Sequence, residues 1–304
     1  MTAPGPTAPG PTTPGTPPPA PVVALTSWRL PVAGAEEAVR CAARLGADGV
    51  QLDLGGPGRG PRADAPGTVA ATLRASAETG VALLGLTANT LNDIGLTARP
   101  DSADATLARA VVVRALDAAR ELGVPLVFLP SFRRSAVESP DDFRRTAEIL
   151  SWAAGEAAAR GLTLASENVL AAPRARALVE EVGSPVFRLL LDPYNLCAAG
   201  HDPVRWVVAL GPHLADQIHL KDGHSGVPAS APLGAGEGRL AEVLDAVAAF
   251  GPVPHALVLE NDYRETGHHG GEFDLPLRDL AWARARAASF APYPEPLDPN
   301  EAAV

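Results

Sequence analysis

The chain has very little cysteine and no long apolar run. Cys41 and Cys197 are its only cysteines. They provide neither a disulfide framework nor a cysteine metal cluster, and such low thiol content fits the reducing cytoplasm. No apolar stretch approaches the roughly 20 residues that a membrane-spanning helix needs. These absences predict a cytoplasmic protein that is neither cross-linked by disulfides nor inserted in a membrane.

Basic residues are too few for a partner that carries many phosphates. Lys and Arg number 25 against 35 Asp and Glu, for a net charge of -10. No basic run is long enough to follow a nucleic-acid backbone. We therefore expect a small-molecule sugar or polyol as the partner, with neither nucleic acid nor a membrane, and the sequence leaves a homo-oligomer open.

Both ends of the chain differ in composition from its middle. Residues 1–21 are mostly Pro, Thr, Gly and Ala, and such a segment buries too little surface to offset its ordering entropy. It also lacks the basic start and the apolar middle of a signal peptide. We predict a disordered tail at 1–21, one folded domain at 22–290 and an irregular tail at 291–304.

Between the tails, short Val- or Leu-rich runs alternate with longer Ala-rich stretches of helical period. The predicted strands are 22–28, 49–55, 81–87, 124–130, 162–168, 187–195, 216–222 and 255–261. The predicted helices are 34–45, 68–79, 103–122, 141–160, 174–182, 204–210, 240–250 and 277–289, and six of them are followed by a glycine suited to a helix stop. Eight such repeats favour an α/β fold, a closed (β/α)8 TIM barrel. A doubly wound sheet is disfavoured, since no Gly-x-Gly-x-x-Gly follows the first strand.

Four side chains that can bind a cation stand at the ends of four predicted strands. They are Glu167, Asp192, His219 and Glu260. Strand side chains alternate between faces, and turning each of these inward turns its large apolar neighbours toward the helices. The carboxyl ends of barrel strands meet at the rim where barrel active sites lie. Three carboxylates and one imidazole suit a divalent cation, with Mn²⁺ preferred and Mg²⁺, Co²⁺ or Zn²⁺ as alternatives.

Five short segments resemble the xylose isomerase-like TIM barrels, a superfamily that includes sugar phosphate isomerases and epimerases. They are residues 166–168 (SEN), 191–195 (LDPYN), 218–222 (IHLKD), 233–238 (LGAGEG) and 259–261 (LEN). The resemblance implies one divalent ion held by Glu167, Asp192, His219 and Glu260. It also implies that the two glutamates are catalytic and move a proton next to a substrate carbonyl, through an enediolate. The implied activity is that of a metal-dependent sugar or polyol-ketone isomerase or epimerase.

Two other functions stay open for the same site. A dehydratase of the inosose or dehydroshikimate type would use the same ion and base but expel a hydroxyl group. A non-catalytic barrel would bind sugar, or act as a subunit, without turnover. Endonuclease IV needs additional early histidines for its zinc ions, and none precedes His201 here.

The chain departs from common patterns of the superfamily at two positions. Gln51 stands where many relatives carry Glu, and Asn195 stands where ketohexose epimerases carry a substrate-binding His. The absence of an obvious Ser/Gly phosphate cradle favours an unphosphorylated substrate. These departures leave the identity of the sugar open.

Five further residues are candidates for substrate binding: Trp28, Asn168, Asn195, Lys221 and His268. Trp28 suits an apolar wall against a sugar face, and Lys221 shares strand parity with His219, so it either faces the pocket or is solvated. The two asparagines suit hydrogen bonds to substrate hydroxyls and, equally, the orientation of ligand carboxylates. His268 follows the last strand and either contacts substrate or is exposed.

We expect the purified protein to hold about one divalent ion per chain, because four ligands at one rim supply most of one coordination sphere. Elemental analysis after gel filtration measures this content, and it should fall in a His219→Ala variant. Metal-free protein whose substrate binding is unchanged by His219→Ala would contradict the prediction.

Overall fold

Eight parallel strands close into a barrel in the computed structural model of the chain, which describes residues 20–264 and 274–290. The barrel strands are β1–β7 and β10, and β8 and β9 form a separate antiparallel hairpin. In chain order the bounds are β1 (Val22–Thr26), β2 (Gly49–Asp53), β3 (Ala82–Thr87), β4 (Leu126–Pro130), β5 (Thr163–Glu167), β6 (Phe187–Leu191), β7 (Leu214–Leu220), β8 (Asp222–His224), β9 (Val227–Ala231) and β10 (Ala256–Leu259). β1 pairs with β2 on one side and with β10 on the other, which closes the circle. The predicted α/β TIM barrel is confirmed.

Helices cover the outside of the barrel. They are α1 (Ala35–Leu45), α2 (Pro66–Thr79), α3 (Leu91–Ile94), α4 (Ala103–Leu122), α5 (Pro140–Ala158), α6 (Ala172–Val182), α7 (Pro193–Ala198), α8 (Pro203–Leu210), α9 (Leu240–Phe250) and α10 (Asp274–Ala287). Short 3-10 turns lie at Ser27–Arg29, Arg133–Ser135, Gly211–His213 and Ala288–Phe290. Every predicted helix is present, with its ends shifted by at most three residues.

Local sequence signals explain where these helices begin and end. α5 begins with a capping box in which the Ser139 hydroxyl accepts from the Asp142 N–H and the Asp142 carboxylate accepts from the Ser139 N–H. Five of the six predicted glycine stops adopt φ between +61° and +76°, the left-handed region that favours glycine. Gly251 also ends its helix, α9, as predicted, but with an extended φ of −106°.

The barrel strands direct alternate side chains into separate cores. Leu164 and Leu189 belong to the large core between the strands and the helices, whereas their neighbours Ala165 and Leu190 pack inside the barrel. This alternation confirms the predicted parity of β5 and β6. Glu167, two residues beyond Ala165, therefore points into the barrel mouth.

The strand predicted at 187–195 is too long, because β6 ends at Leu191. Asp192 caps α7 instead, and its Oδ1 accepts a hydrogen bond from the Asn195 N–H at 2.9 Å. Pro193 occupies the first turn of that helix, a position where its missing N–H costs nothing. The chain therefore changes from strand to helix at Asp192, one of the four predicted ligands.

A buried aspartate organises the glycine-rich segment after the hairpin. The Asp222 carboxylate accepts backbone N–H groups from Gly223, Gly234, Gly236 and Gly238 at 2.9–3.0 Å. A Cβ on Gly236 would lie 2.3 Å from Asp222 Oδ1, so only glycine fits there. The 233–238 segment therefore wraps a carboxylate of the protein itself.

Several predictions fall on residues outside the described ranges. The tails predicted at 1–21 and 291–304 lie there, apart from residues 20 and 21, and so does His268. The boundaries of the predicted 22–290 domain stay a prediction. Within the described ranges, no helix combines the length and the apolar character needed to cross a membrane.

We expect Asp222→Ala to lower the free energy of unfolding by about 3–5 kcal/mol, because it removes one charged acceptor from four backbone donors. Urea denaturation followed by circular dichroism measures the change. Asp216→Ala, at an exposed carboxylate on β7, is the matched control and should shift stability by less than about 0.5 kcal/mol. Equal effects in the two variants would contradict the prediction.

Candidate active site

The four predicted ligands converge at the carboxyl ends of their strands. Glu167 ends β5, Asp192 follows β6, His219 lies in β7 and Glu260 follows β10. One ligand atom from each side chain lies within 4.8 Å of the other three. Their exposed fractions are only 0–6%. The chain therefore concentrates three carboxylates and one imidazole in a small, nearly dry volume.

Lys221 supplies positive charge to this cluster. Its Nζ lies 2.8 Å from Asp192 Oδ2 and 2.9 Å from Glu260 Oε2. Burial disfavours the charged ammonium, but Asp192, Glu260 and Glu167 outweigh that effect and raise the pKa of Lys221 well above its usual value. Lys221 thus faces the pocket as a permanent cation.

The surroundings shift the pKa values of two of the carboxylates in opposite directions. Burial, helped by Glu260 and Glu167, raises the pKa of Asp192 to about 6, although Lys221 opposes the shift. Burial acts on Glu260 in the same sense, but Lys221 and His219 outweigh it and hold the pKa of Glu260 well below its usual range. Glu260 is therefore a carboxylate at neutral pH.

A chain of buried amides fixes the orientation of the His219 ring. The Leu84 carbonyl accepts from Gln217 Nε2 at 2.8 Å, and Gln217 Oε1 accepts from Gln51 Nε2 at 2.8 Å. Gln51 Oε1 then faces His219 Nε2 at 2.7 Å. A carbonyl oxygen can only accept, so each amide has one allowed direction and Nε2 carries a proton. When the ring is neutral, its lone pair lies on Nδ1.

His219 Nδ1 points into the carboxylate cluster. It lies 3.4 Å from Glu260 Oε2 and 3.8 Å from Glu167 Oε2, and it makes no hydrogen bond to any described residue. Burial lowers the pKa of His219, but Glu167 and Glu260 outweigh it and raise this pKa to about 10. The surroundings of Nδ1 thus favour positive charge strongly.

These residues fit a divalent cation. Three buried carboxylates face one ammonium, and the imidazole aims a nitrogen without a hydrogen-bond partner among the described residues at the same point. Oxygen ligands with one imidazole suit Mg²⁺, Mn²⁺ or Zn²⁺. The Lys221 ammonium bridging Asp192 and Glu260 shows directly that this volume stabilises a cation.

Glu167, Glu260 and Lys221 line a cavity of about 630 Å³. Trp28 lines it too and packs its ring 6.0 Å from the Phe128 ring and 6.2 Å from the His219 ring. Its Nε1 also donates to Glu260 Oε1 at 2.9 Å. Trp28 therefore provides an apolar surface and holds the Glu260 carboxylate, one of the four predicted ligands.

The two candidate asparagines lie in different surroundings. Asn195 lines the cavity, and its Nδ2 donates to Glu167 Oε1 at 3.0 Å, so it orients one of the predicted ligand carboxylates. Asn168 instead donates to Ser166 Oγ and accepts from the Leu170 N–H. Both bonds lie within the turn after β5, and Asn168 does not line the cavity.

Sequence reasoning missed several residues that act on the site. Arg29 places Nε 3.9 Å from Glu260 Oε1, and its position after Trp28 at the end of β1 was an available signal. The sequence marks Gln51 only as a departure from the family pattern, without its hydrogen bonds to Gln217 and His219. Polar side chains at two inward-facing strand positions were the available signal. Arg59 and Arg133 also line the cavity, but they lie in loops without a periodic signal.

Comparison with known proteins gives matches over most of the chain. The model of the xylose isomerase-like TIM barrel family matches residues 39–286. A 2-epi-5-epi-valiolone 7-phosphate 2-epimerase from Actinoplanes sp. is 52% identical over 268 residues, which is 88% of this chain and 95% of the relative.

Solved structures repeat the fold at low identity. An L-ribulose 3-epimerase matches with a TM-score of 0.71 and 18% identity, over 89% of this chain and 95% of that chain. A D-allulose 3-epimerase from Methylomonas sp., in complex with D-allulose, matches with a TM-score of 0.67 and 18% identity, over 88% of this chain and 98% of that chain. At such identity these two structures support the fold alone.

We expect Gln51→Leu to weaken divalent-metal binding about 10- to 100-fold, because the variant removes the acceptor that orients the His219 ring. Calorimetric titration of Mn²⁺ into chelator-treated protein measures the affinity. Gln217→Met removes a more distant link of the same chain and should cost less than Gln51→Leu. Unchanged Mn²⁺ affinity in a folded Gln51→Leu variant would contradict the proposed orientation.

Proposed function

The chain belongs to the xylose isomerase-like TIM barrel family, and on that premise we propose that it is a divalent-metal-dependent epimerase of a phosphorylated polyol ketone. The predicted enzyme class, isomerase or epimerase, is confirmed by the 52% identical relative. The observation that carries the finer proposal is the buried cluster of Glu167, Asp192, His219 and Glu260. Its donor atoms suit a cation, and its two glutamates suit proton transfer.

The relative's name supports the substrate class. It denotes a ketone with a phosphate on carbon 7, inverted at carbon 2. Inversion at a carbon beside a carbonyl needs removal of a weakly acidic proton and its return on the opposite face. We infer the same reaction type here, because the relative spans nearly the whole barrel and the ligand set is complete.

A divalent cation held by the four ligands would polarise the substrate carbonyl and stabilise the negative charge that develops on its oxygen. The Lys221 ammonium would face the same oxygens, since its Nζ lies among the ligand carboxylates. Positive charge fixed in a nearly dry site stabilises an oxyanion far better than it would in water. The substrate passes through an enediolate in this scheme.

Glu167 and Glu260 are the proposed acid and base. β6 and β7 separate their strands around the barrel, so the two carboxylates approach the cavity from different sides. Asn195 holds Glu167 and Trp28 holds Glu260, each through a hydrogen bond of about 3 Å. One glutamate would take the proton from one face of the carbon, and the other would return a proton to the opposite face.

The dehydratase stays an alternative that shares the first step. It would remove the same proton and then expel a hydroxyl group, so its product would be lighter than the substrate by one water. The non-catalytic alternative predicts binding without any hydrogen exchange. One experiment in deuterated water therefore distinguishes all three.

We expect the metal-loaded protein to incorporate deuterium beside the carbonyl of a phosphorylated cyclic polyol ketone and to yield its epimer. Glu167→Gln and Glu260→Gln should each lower the rate about 10²- to 10⁴-fold, the usual contribution of a positioned acid or base. NMR spectroscopy measures the exchange, and mass spectrometry measures the product mass.

Asn168→Ala is the matched control, because its side chain bonds lie outside the cavity, and it should keep most of the activity. Product formation with loss of water would support the dehydratase. Absence of exchange in metal-loaded protein with bound substrate would support the non-catalytic barrel.

A further inference from the structure

We propose that Arg59 and Arg133, on the loops after β2 and β4, form a subsite for the phosphate group of the substrate. The inference rests on the proposed function, because it assigns the phosphate to the molecule whose carbonyl meets the cation cluster. The two arginines belong to the same cavity as Glu167 and Glu260.

Three neighbouring rim segments bring the two guanidinium groups together. Arg59 lies in the loop after β2, Asp93 in α3 after β3, and Arg133 at the 3-10 turn after β4. Arg59 Nε lies 2.9 Å from Asp93 Oδ2, and Arg133 Nη1 lies 3.2 Å from Asp93 Oδ1. Both guanidinium groups therefore sit on one carboxylate.

One carboxylate does not satisfy two guanidinium groups. Arg59 uses Nε and Nη2 on a single oxygen, and Arg133 uses only Nη1. Among the described residues, the remaining donors of the pair have no hydrogen-bond partner. The two guanidinium groups share the single Asp93 carboxylate and present several further N–H groups, which is the chemistry that binds a phosphate through paired hydrogen bonds.

Backbone constraints position both arginines, directly at Arg133 and through neighbouring glycines at Arg59. Arg133 has φ +52°, a left-handed value that costs free energy in a residue with a side chain. The loop that carries Arg59 turns through Gly55, where a Cβ would lie 2.2 Å from the Pro61 carbonyl oxygen. It closes by the Gly56–Gly60 bridge. This tight loop brings Arg59 to the cavity wall.

The carboxylate cluster and the arginine pair reach the cavity from different barrel segments. Glu167 and Glu260 line it from the ends of β5 and β10, whereas Arg59 and Arg133 line it from the loops after β2 and β4. A ketone with vicinal oxygens at one end and a phosphate at the other matches both regions. The expectation of an unphosphorylated substrate rested on a missing Ser/Gly cradle, and an arginine pair performs that recognition through side chains instead.

The experiment titrates inorganic phosphate into metal-loaded protein by calorimetry. Arg59→Gln/Arg133→Gln should weaken phosphate binding at least about 10-fold, since charge-assisted hydrogen bonds are lost. His219→Ala, which removes a metal ligand, should leave phosphate binding intact. Arg134→Gln is the matched control, because Arg134 contacts Asp104 and the Asp93 carbonyl and lies outside the cavity lining.

Kinetics with the phosphorylated ketone and its dephosphorylated counterpart provide a second measurement. The double variant should raise KM for the phosphorylated substrate about 10- to 100-fold, with little change for the dephosphorylated one. Phosphate binding that survives in the double variant, or that disappears in His219→Ala, would overturn the subsite. Phosphate binding that depends on the arginines in a protein without epimerase activity would support the subsite and refute the proposed reaction.

Discussion

Mutual repulsion among three buried carboxylates is the constraint on which the rest of the site depends. Glu167, Asp192 and Glu260 are nearly inaccessible to water and lie within a few ångströms of one another. Like charges at this range are tolerated only beside compensating positive charge. Lys221 supplies part of this positive charge, and His219 Nδ1 faces the carboxylate charge that Lys221 leaves uncompensated. This excess of negative charge is unfavourable for folding, but it equips the barrel mouth to hold a cation.

The barrel rim carries a carboxylate cluster at its strand ends and an arginine pair in its loops. Both can occur on one rim because the loops of a barrel vary independently of one another. The four predicted ligands lie at or directly after strand ends, where hydrogen-bonded register fixes the backbone, and this suits the strict geometry that a metal ion would demand. The arginine pair stands on loops after β2 and β4, where backbone glycines and a left-handed arginine define its position. A polar substrate placed between these regions would be oriented by its own charge distribution.

The parts of the fold that follow from local pattern could be predicted, and the parts that need distant contacts could not. Strand parity was sufficient to turn Glu167, Asp192, His219 and Glu260 inward. The bond between Gln51 and His219 joins residues 168 apart in the chain, so no window of sequence reveals it. The strand predicted through Asn195 failed because Asp192 serves as a helix cap. Asn168 was a candidate for binding substrate or orienting a carboxylate because it ends a predicted strand, whereas sequence does not show the bonds that its side chain makes to Ser166 and Leu170.

The amide chain behind His219 has a consequence for how protons travel. Each carboxamide donates in one direction and accepts in the other, from the Leu84 carbonyl through Gln217 and Gln51 to the imidazole. Side-chain amides do not ionise near neutral pH, so this row of hydrogen bonds conducts no proton between the imidazole and the barrel floor. The row therefore keeps the proton on His219 Nε2 in place, and any change in the charge of the imidazole must occur at Nδ1, on the side of the carboxylate cluster.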